Sequence, residues 1–174
     1  MSNWDPDGKD VVGIGFIGAG ALFGWRGTGD IMLLVDTRGN VAVVRTEAVG
    51  AEGNVLELSL QVRGSYSVYD TIDDQMSARK MEVGVGADVG PGQVAGLDIL
   101  IDVNEAAPVG ASVNFGTGLN SQYVLPFEEH TMLVDQSTYV GEPVSIPEGI
   151  DAAIDLVTEQ ASELISALKE LFRF

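Results

Sequence analysis

From Leu56 to Val68 the side chains change character at almost every step. Leu56, Leu58, Leu60, Val62, Tyr66 and Val68 stand on one side; Glu57, Ser59, Gln61, Arg63, Ser65 and Ser67 stand on the other. A period of two puts successive side chains on opposite faces of a strand, and a strand with one apolar face belongs in an antiparallel sheet. The same alternation returns at Met81–Val89 and at Val109–Phe115. A chain patterned this way over most of its length is confined to all-β architectures.

Turn signals separate the runs. Ile31–Val35 and Val41–Arg45 flank Asp36-Thr37-Arg38-Gly39-Asn40, where Gly39 and Asn40 tolerate the positive φ of a tight turn. Gly90-Pro91-Gly92 parts the Met81 run from Leu97–Ile101, and Ala106-Ala107-Pro108 parts that from Val109. Gly118–Ser121 precedes a strand at Tyr123–Leu125, and a last strand covers His130–Val134, extended toward Val140. Asp70–Arg79 reads as a loop. About eight short strands without intervening helices predict a sandwich or a barrel rather than βαβ units. An antiparallel meander closed into a barrel is preferred, because closure removes exposed edges. The domain spans 11–144, after a disordered segment at 1–10.

The glycines fall opposite the apolar side chains: Gly84 and Gly86 against Val83 and Val85, Gly110 against Val109 and Ala111. One reading is strand curvature or a closely approaching backbone. The other is a transmembrane barrel, apolar outside and small and polar inside. Against the second stand few Trp and Tyr residues for interfacial girdles and no basic, apolar export signal in Met1–Asp10. Alternation alone leaves open which face of the barrel is apolar. Gly13, Gly15, Gly18 and Gly20 interrupt the most apolar stretch, Val11–Trp25. They lie inside an alternating β segment, so they are not a dinucleotide loop, which needs a strand, the glycines and then a helix.

Residues 145–174 change period. Ser145-Ile146-Pro147-Glu148 is a helix start, and an apolar face of Ile150, Ile154, Val157, Ala161, Leu164, Ile165, Leu168 and Leu171 follows. Such an amphipathic helix would be about 39 Å long at 1.5 Å per residue. It is free to dock along the barrel wall, enter it, or join another copy as a homo-oligomer.

The charge narrows the partners. Twenty-six acids against nine bases give a formal charge of −17. Nucleic acid is disfavoured as a partner, since binding it requires cations on phosphates. An anionic membrane is disfavoured for the same reason. The acidity suits a soluble protein and is compatible with high salt. No cysteine is present, which excludes disulfides and thiol chemistry. No apolar run reaches the ~18 residues of a membrane-spanning helix. The expected location is the cytoplasm, or outside the cell by a non-classical route.

Chemistry has few footholds. The lone histidine, His130, follows Glu128 and Glu129 and could serve as a base oriented by a carboxylate; the preferred reading is a strand residue beside a turn. Asp70, Asp73 and Asp74 cluster as oxygen donors for a hard cation, without EF-hand spacing, and Asp98 and Asp102 share a strand face. No cofactor is indicated.

Several segments bear a family likeness. Val35–Val41, Ser65–Asp74 and Val109–Gly116 with Glu129-His130-Thr131 resemble glycine-rich β modules near the C-termini of Rhs/YD-repeat and related polymorphic-toxin proteins. The resemblance covers roughly 11–140, implies an accessory or effector context, and transfers no catalytic residue. Three functions stand open: a non-enzymatic barrel binding an apolar ligand or a protein partner, a toxin-like effector soluble until it enters a membrane, and a carboxylate-dependent enzyme.

Overall fold

The computed structural model describes residues 10–53, 56–90, 92–120 and 127–145, with 88–90, 119–120, 127–130, 135–136 and 144–145 described by backbone alone. Of the segment expected to be disordered at 1–10, residues 1–9 lie outside the described residues, while Asp10 is described and buried; the helix expected beyond Ser145 also lies outside them. Ser145 itself, read as the helix cap, is a strand residue paired with Asn40.

The strands are β1 (Val11–Leu22), β2 (Trp25–Asp36), β3 (Asn40–Glu52), β4 (Leu56–Ser67), β5 (Lys80–Gly90), β6 (Gln93–Asp102), β7 (Ala107–Asn120), β8 (Phe127–Tyr139) and β9 (Val144–Ser145). All pairings are antiparallel, and β2–β3 pairing closes the ring β1-β2-β3-β8-β5-β6-β7-β4. The expected closed barrel is present, and the two-stranded β9 pairing extends β3 outside it.

The expected meander is corrected. β4 lies beside β1, and β8 beside β5, so the ring is two Greek keys, β4-β1-β2-β3 and β8-β5-β6-β7. In the first key β3 ends beside the tip of the β1–β2 hairpin, where the Glu52 amide donates to the Gly24 carbonyl at 3.1 Å, and β4 returns along β1. In the second key β7 and β8 stand in the corresponding places. The short spacing from Glu52 to Leu56 reads like a hairpin loop in the sequence, which is why the crossover was not expected.

Other boundaries also move. Val11–Trp25 is a strand and a turn: Phe23 and Gly24 both have positive φ, 50° and 86°, as a two-residue hairpin with right-handed twist requires. β7 continues through Gly118–Asn120 instead of turning there, and Tyr123–Leu125 lie outside the described residues. Asp70–Arg79 contains a short helix, α1 (Ile72–Ser77). Thr71 caps it, accepting from the Asp74 amide at 3.1 Å, and Ile72 is buried beneath it.

The hydrophobic core is small and sits at one end of the lumen. Val11, Met32, Leu34, Ala42 and Val44 line that end and α1 closes it with Ile72, while Tyr69, Met76 and Tyr139 pack around them. This end, with both ends of the described chain, is called the lower end below.

The glycines fit the closure. A Cβ on Gly15 would come within 1.9 Å of the Ile31 carbonyl oxygen, and one on Gly116 within 2.2 Å of the Leu60 oxygen. Both wall contacts need a bare backbone.

Candidate functional site

Above the lower core most inward side chains are polar, set among the buried apolar residues Ile17, Ala19, Ala21, Ala48, Val94, Leu100 and Met132. β4 turns Glu57, Ser59, Gln61, Arg63 and Ser67 into the lumen, all buried. β2 adds Arg26 and Asp30, β5 adds Lys80 and Glu82, β6 adds Asp98 and Asp102, and β7 adds Ser112 and Asn114, also buried. The alternation of Leu56–Val68 is therefore as read, with the apolar face outward.

Arg63 is the centre of this lumen. Its Nη1 donates to Asp30 Oδ2 at 3.1 Å, and its Nη2 to Glu82 Oε1 at 2.5 Å and Ser112 Oγ at 2.8 Å. Ser112 Oγ donates in turn to Asp98 Oδ2 at 2.9 Å, which also accepts from Asn114 Nδ2 at 2.6 Å. Nearer the upper end Arg26 Nη1 bridges Glu52 at 2.8 Å and Glu57 at 2.6 Å, and Ser59 and Gln61 extend the chain of bonds. Charges taken out of water hold only when paired and hydrogen-bonded, and this lumen supplies both.

The pairing is uneven. Among the described residues, seven buried carboxylates on the inward face (Asp30, Asp36, Glu52, Glu57, Glu82, Asp98 and Asp102) face three buried bases, Arg26, Arg63 and Lys80. Burial raises Asp30 to about 6, Arg63 partly offsetting it and Glu82 adding to it. Glu52 is also raised by burial, against the pull of Arg26. Burial lowers Lys80 to about 8, partly offset by Glu82. Its ammonium donates to the Gln75 carbonyl and lies 5.8 Å from the Tyr69 ring centre. A cavity of about 40 Å³ opens among Asp30, Thr46, Arg63, Ser65, Lys80 and Glu82, and Asp30 Oδ1 has no hydrogen-bond partner there. That volume holds a water or two, not an organic substrate.

The outer wall is the reverse. Phe16, Val62 and Phe115 stand side by side on β1, β4 and β7, and Val113, Leu97 and Val85 on β7, β6 and β5. Val62, Val85, Leu97, Ile99, Val113 and Phe115 are 46–60% exposed. On β3 the row is interrupted by Arg45 and Glu47, exposed and paired at 2.6 Å. Beside them Ile31, Val41 and Val43 face outward yet are buried, packed with Leu33, Val35 and Val140.

The residues singled out in the sequence are dispersed. His130 and Glu128 lie in β8, in register with Gly84 and Gly86, and His130 also with Glu52. Asp73 and Asp74 are exposed on α1: Asp74 bonds its own cap, Thr71, and Asp73 accepts from Tyr139. Asp70 precedes the helix. Asp98 and Asp102 do share the inner face, Asp98 in the Arg63 network and Asp102 accepting from the Asn104 amide at the turn. Among the described residues no group of three His, Cys, Asp or Glu is arranged to hold a metal ion. Among them, too, no helix is long and apolar enough to cross a membrane. The Arg63 network was missed because its members lie on five strands. Its trace in the sequence is the Arg, Glu, Gln and Ser residues on the polar side of each alternation.

Compared with known proteins, the chain matches no family model, no curated protein and no solved structure.

Proposed function

We propose that this protein is a membrane-seated β-barrel with a closed, ion-paired lumen and a lipid-facing outer wall. The observation that carries the reading is the inverted alternation: charge inside, Val, Leu, Ile and Phe outside. In water that arrangement is backwards, since monomers rarely expose apolar patches beyond a few hundred Å². The exposed apolar rows run over β1, β4, β7, β6 and β5. Strands of 10–14 residues are long enough for a tilted crossing, which takes roughly 9–11.

The lumen argues against conduction and catalysis alike. Eight strands leave an interior just wide enough for side chains to fill, and here Arg63 and its partners fill it while α1 closes the lower mouth. An apolar partner meets the outer wall, not the interior. The likeness to toxin-associated modules supports a body delivered to a membrane, without enzymatic work of its own.

The test is flotation of the full chain with neutral lipid vesicles, combined with brominated acyl chains and a fluorophore on single cysteines. Quenching is expected at Val62→Cys and Ile99→Cys on the wall, and not at Ser59→Cys in the lumen. A protein that stays below the vesicles, or wall positions no more quenched than position 59, would overturn the reading.

A further inference from the structure

We infer that the barrel enters the bilayer upper end first, led by the β1–β2 tip, with the lower end left on the side of entry; this rests on the membrane-seated reading. The two ends differ in their connections. Among the described residues, the connections at the upper end are Phe23-Gly24, Gly53 and Gly92, and none of them is charged. The lower connections carry Arg38, Asp70, Asp73, Asp74, Arg79, Glu105 and Glu142. A leading end must shed its water as it passes through hydrocarbon, and each charge it carried would add a cost of several kcal/mol.

The upper rim is also armed for lipid. Leu22, Phe23, Trp25 and Leu56 are 55%, 77%, 75% and 52% exposed there. The nearest described charged side chains, Arg26, Glu52 and Glu57, are turned inward and paired with one another. Glu128 and Glu129 lie at the start of β8.

Phe23 makes the case independently. It holds a φ of 50°, a conformation in which a bulky residue is an outlier and where Asn or Gly is the ordinary choice. A strained position filled by an aromatic ring that packs against almost nothing gains nothing for the fold. The gain must come from an apolar surface that the tip meets, and aromatic rings favour the membrane interface.

The chain has no cysteine, so single cysteines report unambiguously. The full protein is added to sealed neutral phosphatidylcholine vesicles and then treated with a membrane-impermeant maleimide. Glu105→Cys at the lower end is expected to label as it does in solution, and Phe23→Cys to be protected. Phe23→Asn relieves the backbone strain, so it is expected to fold at least as stably as the parent while vesicle association falls about tenfold, equivalent to ~1.4 kcal/mol. Arg38→Asp, at the other end, should leave association unchanged. Labelling at position 23 with protection at 105, equal labelling at both, or unaltered association of Phe23→Asn overturns the direction of entry while the membrane reading stands. A parent protein that does not float removes both.

Discussion

The two ends of the lumen are built from the same strands by opposite means. Going up β2, the inward residues are Leu34 and Met32, then Asp30, Thr28 and Arg26; going up β3, they are Ala42 and Val44, then Thr46, Ala48, Gly50 and finally Glu52. The lower end is held as a soluble core is held, by close-packed apolar side chains under Ile72. The upper lumen is held by Arg63 and Arg26 among carboxylates. The outer wall makes no such change on β1, β4, β7, β6 and β5, and carries the Arg45–Glu47 pair on β3. Inwardness in this barrel is therefore a matter of position in the pleat, and hydropathy follows the solvent assigned to each face.

That contrast can be broken most severely at Arg63. Arg63→Ala leaves Asp30, Glu82 and Asp98 buried without their shared cation, and should cost about 3–5 kcal/mol in urea unfolding at neutral pH. A loss under 1 kcal/mol would mean that water reaches the lumen freely. Next is Ile72→Ala, which opens a void in the lower core and is expected to cost about 2–4 kcal/mol. If both ends were held alike, it too would make stability strongly salt- and pH-dependent; the expected result is a loss insensitive to both.

The smallest effect concerns Asp30. Burial holds it at about 6 in the fold, against 3.8 for the free group. Between those values the folded state keeps a proton that the unfolded chain has released. The stability this group contributes is complete below about pH 4 and is lost as the pH rises through 6. Asp30→Asn should remove that component, flattening the unfolding free energy from urea titration between pH 4 and 7 by ~1–2 kcal/mol relative to the parent. Superimposable profiles would place Asp30 in contact with solvent.

Much of the wall was legible. The faces of Leu56–Val68, the Asp36–Asn40 turn and barrel closure all follow from alternation and turn chemistry. Which face turns inward did not follow, because a period of two shows that two faces differ and is silent on which meets solvent. The order of strands was hidden for another reason: β4 starts at Leu56, only a hairpin loop's spacing after Glu52, yet it lies beside β1 and not beside β3. α1 was overlooked at six residues, although Thr71 and Asp74 stand at capping distance. The Asp70–Asp74 cluster suggested a cation because spacing cannot show that Asp74 caps a helix and Asp73 holds Tyr139.

The double Greek key has a kinetic consequence. Its halves, β1–β4 and β5–β8, meet along two seams, β4–β7 and β3–β8. Arg63 belongs to the first half, while Glu82, Asp98 and Ser112 belong to the second. The Arg63–Glu82 pair can form only when the halves meet, and the seams join segments far apart in the chain, where closure is slow. Zipping the seams and pairing the charges become one event, so a half-made barrel gains little from existing, and the molecule commits to its closed form late and all at once.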